Sequence, residues 1–234
     1  MNEHTGHRQR VKEDFLRNGF PQGAHQHKAL ELLLFFCVQQ KDTNPLAHQL
    51  LNKYKNIAGV LDAPVEELAE FKGLSQHSAV LLKLIMPIAR MYLADKDDSS
   101  PFFSSLDEMG EYVLKRYIGI QNEVPAILIL NHRNQLIDFQ FLSQGDVGTA
   151  TVSIRDVVRR ALNKNAASVV FTHNHPDGLA FPSPNDVNIT KQLAIALSNV
   201  GVLLLDHILV AETDFVSLAQ SFEFAHLFNT NDTI

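Results

Sequence analysis

The stretch 170–186, VFTHNHPDGLAFPSPND, constrains the fold more than any other part of the chain. The apolar run over residues 167–171 that leads into it reads as a buried strand. The strand delivers His173 and His175, breaks into a Pro/Gly-rich loop, and restarts at Ser183-Pro184-Asn185-Asp186. Residues two apart in an extended strand face the same way, about 6–7 Å from each other, so both imidazoles can reach one ion. Asp186 falls in the first turn of the following helix, where backbone N–H groups keep a carboxylate charged. Two neutral imidazoles and one carboxylate suit Zn2+ and leave a fourth position for water, the open geometry of a catalytic site. Each piece also has a purely structural reading: Ser183 with Asp186 as a capping box, Pro184 at the first helical position, and residues 175–178 as a turn. Their conjunction makes His173, His175 and Asp186 the candidate metal ligands.

Residues 1–97 read as helical throughout. Asn18-Gly19 stops a first helix, and Leu30, Leu33, Leu34 and Cys37 recur at helical spacing over 27–39. Asn44-Pro45 opens a helix to about residue 54, and residues 62–71 repeat the device with Pro64, Glu66 and Glu67. After a tight turn at residues 72–75, Ser75 caps a long helix to about residue 95, with Pro87 expected to kink it. Two helices joined by a turn containing Gly73 allow two readings: a helix-hairpin-helix element that holds a DNA phosphate, or a plain helical corner. Residues 98–105, rich in charge, serine and proline, read as a linker.

From residue 106 the periodicity changes. Ser105 and Glu108 form a capping box for a helix to about residue 117. Residues 125–130 (PAILIL) and 135–142 read as a hairpin, 154–163 as a helix capped by Ser153, and 167–172 as a strand. A helix over 184–199, a strand over 202–210 and a short helix within 217–228 complete the pattern. Interleaved strands and helices with a hairpin make residues 106–234 an α/β or α+β domain behind an all-α one.

Composition narrows the function classes. The 234 residues suit two domains, and 45% hydrophobic with 20% charged residues is ordinary for a soluble globular chain. Residues 1–100 carry 12 basic and 12 acidic side chains and the remainder 8 and 14, so the net charge of −6 lies entirely in the second part. Neither part is the basic body of a strong phosphate-driven nucleic-acid binder. The single cysteine, Cys37, sits in an apolar run and reads as a core thiol. The polar N-terminal stretch and the shortness of the apolar runs predict a cytoplasmic protein with no membrane segment.

His173-x-His175, seven residues, then Ser183-x-x-Asp186 resembles the JAMM signature of the JAB/MPN metallopeptidases. HNHPDGLAFPSPND, together with residues 155–162 and Asp206-His207-Ile208, is similar to the bacterial RadC family. The resemblance implies a curved sheet flanked by helices, one zinc ion per chain, and hydrolysis of a peptide, isopeptide or related amide bond in a protein or peptide substrate. It also implies a link to DNA repair. His173, His175 and Asp186 would be ligands, Ser183 would orient the water or stabilise the oxyanion, and Asp206 would be either a partner behind a ligand or a buried structural aspartate. Alignment on Gly145 puts Gln140 where the family's general-base glutamate is expected. Glutamine cannot take a proton from water at neutral pH, so the expectation is a site that binds metal and turns over slowly or stays silent. Asp138 on the same strand, Asp146 just past its end and Asp177 in the loop are the acidic groups that could stand in for that base.

Overall fold

The structure is a computed structural model that describes residues 3–20, 25–39, 42–96, 100–142, 152–176 and 178–228. Gly145, Asp146 and Asp177 lie outside the described residues. The chain divides into two compact units, Met1–Ala89 and Arg90–Ile234.

The first unit is all helical: α1 (Glu3–Asn18), α2 (Gln26–Leu34), α3 (Asn44–Tyr54), α4 (Ile57–Asp62), α5 (Val65–Glu70) and the first part of α6 (Gln76–Lys96). Leu30, Leu34, Leu50, Val60, Leu68 and Leu82 are fully buried in its core. Helix α2 stops at Leu34, short of the expected residue 39, and its end tightens into three-residue turns closed by Phe36 N–H to Leu33 O and Cys37 N–H to Leu34 O. The cap of α3 is Thr43. Asn44 is already helical, and its side-chain amide donates to the buried Glu31 carboxylate at 2.9 Å. Helix α4 was not expected from periodicity because it is one and a half turns long; Asn56 starts it by accepting from Gly59 N–H at 2.8 Å. The turn between α5 and α6 needs glycine at Gly73, where φ is +104°, a region L side chains rarely enter. Ser75 accepts from Ser78 N–H at 3.3 Å, and α6 continues through Pro87. The half-buried Cys37 thiol is pushed up by burial, as a core thiol should be. Among the described residues no helix is long and apolar enough to cross a membrane.

The second unit is a five-stranded sheet with helices on both faces. Its elements are α7 (Leu106–Tyr117), β1 (Pro125–Leu130), β2 (Leu136–Phe141), α8 (Ile154–Asn163), β3 (Ser168–Asn174), α9 (Pro184–Ser198), β4 (Leu203–Ala211), β5 (Asp214–Ser217) and a 3-10 turn at Ala225–Phe228. The strand order is β2-β1-β3-β4-β5. Among the described strands of this sheet only β3 and β4 pair in parallel, and α9 makes the crossover that a parallel pair requires. Of the short helix expected within 217–228 only the 3-10 turn at Ala225–Phe228 forms: Ser217 ends the unexpected strand β5, and residues 218–224 are turns and a bend. One face packs Met109, Tyr112, Val113 and Tyr117 of α7 on Ala126, Leu128, Val170 and Ile208; the other packs Val157 and Ala161 of α8 and Leu193 and Leu197 of α9 on Ile127, Ile129, Val169 and Phe171. Burial on both faces explains why β1 and β3 read as unbroken apolar runs. Ser105 caps α7 as expected, but the Glu108 carboxylate reaches Ser104 N–H and O–H, both at 2.7 Å, one residue earlier than a capping box. Within the expected linker, Pro101 O accepts from Leu136 N–H and Phe103 N–H donates to Asn134 O, so residues 100–103 run bonded along β2.

Gly110 marks the closest approach of α7 to the sheet: a Cβ there would collide with the Phe215 ring of β5. Gly110→Ala should therefore lower stability by about 1–3 kcal/mol despite alanine's better helix propensity. A thermal melt showing Tm unchanged or raised would contradict this packing.

Candidate metal centre

Strand β3 lies between β1 and β4, with His173 opposite Pro125 on one side and Leu209 on the other. His175 extends the ladder past the strand end by donating its N–H to Val210 O at 2.7 Å. From across the loop, α9 brings Asp186 in its first turn. His173 Nε2 and His175 Nε2 stand 2.8 Å apart, with Asp186 Oδ1 3.2 Å from the former and Oδ2 3.7 Å from the latter. His173 and Asp186 are buried, while the His175 side chain is 19% exposed and opens the cluster to solvent. His175 Nδ1 lies 3.1 Å from Leu179 O. A carbonyl only accepts, so Nδ1 is the donor, and Nε2 of the neutral ring turns a lone pair inward.

These residues fit a metal ion. Their ligand atoms all lie within 4.8 Å of one another, and a tetrahedral ion with bonds of about 2.0–2.1 Å would space them at about 3.3 Å. Two imidazole nitrogens and a carboxylate, all acceptors when the rings are neutral, converge on one point, and a cation satisfies all three. Burial opposes the charge of Asp186, yet the His173 imidazole beside it and the hydrogen bonds with Ser183 hold its carboxyl well below the usual range. The same carboxylate closes a full capping box: Ser183 N–H donates to Oδ2 at 2.7 Å, and Asp186 N–H donates to Ser183 Oγ at 3.2 Å. Capping therefore leaves Asp186 able to face the two imidazoles. Ser183 is exposed beside the cluster, and its hydroxyl hydrogen is not used by the cap.

Gln140 does not reach the cluster. It pairs with Ile127 on the edge strand β2, two strands away from β3. Its Oε1 accepts from Arg160 Nη1 of α8 at 2.6 Å and its Nε2 donates to Asp138 at 2.7 Å. Asp138 is in turn paired with Lys164 at 2.9 Å. Among the described residues, a carboxylate that does approach is Glu123, which sequence reasoning missed: its Oε1 is 3.9 Å from His173 Nε2 and its side chain is half exposed. Glu123 precedes β1, the direct neighbour of β3. The segment around it is clamped by Asn174, the residue between the two histidines, which accepts from Val124 N–H at 2.8 Å and donates to Asn122 O at 2.9 Å. The sequence signal was a lone acid just ahead of the first apolar strand, which means nothing until the pairing of β1 with β3 is known.

Asp206 is fully buried but turned to the α7 face, where it accepts from His207 N–H at 2.7 Å, Ser217 O–H at 2.5 Å and Ala219 N–H at 2.9 Å. The residue behind His173 is its neighbour His207, whose Nε2 is 2.9 Å from His173 Nδ1. A bulge decides this. Val169 pairs with Leu204 and Val170 with Asp206, so one extra residue in β4 reverses which side chain faces α9. Burial, then the imidazoles around it, hold the His207 ring well below its ordinary pKa and so neutral.

Comparison with known proteins agrees with this architecture. The RadC-like JAB domain matches residues 103–223, more than half of the chain and the whole of the sheet with both histidines and Asp186. The chain belongs to the RadC-like JAB domain family. Its curated relatives include UPF0758 proteins of Fusobacterium nucleatum subsp. nucleatum, 32% identical over 93% of this chain and 97% of the relative, and of Saccharophagus degradans, 35% identical over 85% and 90%. A third, from Pseudoalteromonas translucida, is 37% identical over 75% of this chain and 78% of its own. The family model lies within the second unit, while the match to the Fusobacterium relative covers 93% of this chain and so extends into the helical first unit.

Asp206 offers a pH test of its structural place. Burial raises its folded pKa, and its three hydrogen bonds only partly oppose that. The folded state then holds the proton more tightly than the unfolded chain, whose aspartate titrates at about 3.9. The stability this contributes is full below that pH and is lost as pH rises through the raised folded value. Unfolding measured against pH should show the parent losing stability relative to Asp206→Asn across that window. A difference that does not vary with pH would contradict the assignment.

Proposed function

We propose that the chain is a zinc-dependent hydrolase of amide bonds, peptide or isopeptide, with His173, His175 and Asp186 as the ligands of one ion. The observation that carries this reading is Glu123 Oε1 at 3.9 Å from His173 Nε2, a half-exposed carboxylate beside the three proposed ligands. A bound zinc ion supplies Lewis acidity, lowering the pKa of a coordinated water and polarising the scissile carbonyl. Glu123 accepts the proton of the attacking water and returns it to the departing amine nitrogen as the C–N bond breaks. Ser183, whose Oγ accepts from Asp186 N–H, donates its own O–H to the carbonyl oxygen as negative charge builds there. His175 and the capped Asp186 hold their positions through backbone bonds that do not depend on substrate.

This reading favours an active enzyme over a silent metal binder, because the base does not have to come from Gln140. Purified parent should carry about one zinc per chain, as a three-ligand open site requires, and His173→Ala should lose it. Glu123→Gln should keep the metal and lower turnover of a model peptide or isopeptide by about 10²–10⁴-fold, whereas Gln140→Glu should leave turnover essentially unchanged. Metal analysis alongside kinetics separates the parts. A parent that takes up no zinc at full supply overturns the reading, and a Glu123→Gln enzyme as fast as the parent removes Glu123 from it.

A further inference from the structure

Behind the ligands, α9 and β4 place two buried polar side chains in line. Thr190 follows Asp186 by one helical turn, and its Oγ1 is 2.6 Å from Asp186 O. A carbonyl carries no hydrogen, so the single hydroxyl hydrogen of Thr190 is committed to that bond. The same Oγ1 is 2.6 Å from His207 Nδ1. With its own hydrogen spent, Oγ1 can only accept, and His207 Nδ1 must be the donor. A neutral imidazole with its hydrogen on Nδ1 is an acceptor at Nε2. That nitrogen is 2.9 Å from His173 Nδ1, which must therefore donate. His173 is left with Nε2 alone to turn toward the other two ligands.

Both Thr190 and His207 are 0% exposed, so water does not compete for these bonds. A doubly protonated His207 would be a buried cation packed against the Phe171 ring at 4.7 Å, with neutral hydrogen-bond partners at both nitrogens, an arrangement burial strongly disfavours. The directions of all three bonds follow from one end of the chain, the Asp186 carbonyl.

We infer that Thr190 and His207 are positioning residues: a buried relay running from the Asp186 carbonyl through both side chains fixes the hydrogen of His173 on Nδ1 and makes Nε2 its metal-binding atom. The relay links two ligand residues, Asp186 on the helix and His173 on the strand, through groups that never touch the ion. A hydrogen-bond partner on the far nitrogen commonly sets the tautomer of a metal-binding histidine. Here that partner is a second imidazole, whose own tautomer is set by a threonine. The ligand role of His173 rests on the zinc reading above; the direction of the relay does not.

The test uses the full chain with and without zinc. Long-range 1H–15N spectra of the metal-free parent should show His207 protonated on Nδ1 and bare on Nε2. Thr190→Val, which keeps the shape and removes the hydroxyl, should move His207 toward the Nε2–H form and weaken zinc binding, measured against a competing chelator, by about 10–100-fold. Thr190→Ser should restore both. A metal-free parent with the hydrogen of His207 on Nε2 overturns the relay, even if the valine variant fails to fold. So does a folded Thr190→Val that keeps the parent's tautomer and zinc affinity. A parent with His207 on Nδ1 that binds no zinc overturns instead the ligand role of His173.

Discussion

The Asp186 carboxylate holds this site together because one group performs two tasks that both require its charge. It accepts Ser183 N–H and so completes the cap of α9, and it faces His173 and His175 at 3.2 and 3.7 Å. An anion at a helix N-terminus is favoured by the unpaired N–H groups there, and the same anion is favoured by a cation between the imidazoles. Neither demand displaces the other, since each oxygen can accept more than one partner. The start of the helix therefore fixes where Asp186 meets the two imidazoles. From that fixed start, one turn further on, Thr190 arrives at His207.

The rest of the site follows from strand pairing. Because β1 is bonded directly to β3, the residue just before β1 arrives beside the end of β3, and Asn174 pins that segment with bonds to residues 120, 122 and 124. The middle residue of His173-Asn174-His175 faces away from the two imidazoles and toward the α7 side of the sheet, so one tripeptide presents two candidate ligands on one face and a clamp for the segment around Glu123 on the other. The bulge in β4 makes a comparable choice between Asp206 and His207. It sends the acid to tie β5 and the following turn to the sheet, and the imidazole to the back of His173.

Gln140, which takes the place expected of a base, acts as a strut in this geometry. With Arg160, Asp138, Asp156 and Lys164 it forms a polar network between β2 and α8. Partly exposed pairs of this kind contribute only about 0–1 kcal/mol each, so the network orients α8 against the edge strand more than it stabilises the unit.

Local chemistry in the sequence was enough to mark His173, His175 and Asp186 as groups that could hold a metal, and to place the capped start of α9, both strands of the hairpin, α8 with its Ser153 cap, and the helical character of the first unit. Each of these depends on neighbours within a few residues: a cap, a period, an apolar run. The short α4, the brief β5 and the true cap of α3 escaped because tertiary packing, not propensity, decides elements of one or two turns. Which acid meets the histidines, and which residue stands behind them, lay beyond any local pattern. Glu123 and His173 are fifty residues apart and meet through the β1–β3 register, while Asp206 and His207 exchange faces through one inserted residue. Sequence determined which groups could bind a metal; only the pairing and slip of strands decided which groups stand close enough to serve it, because a side chain's face in a sheet changes with every single-residue shift.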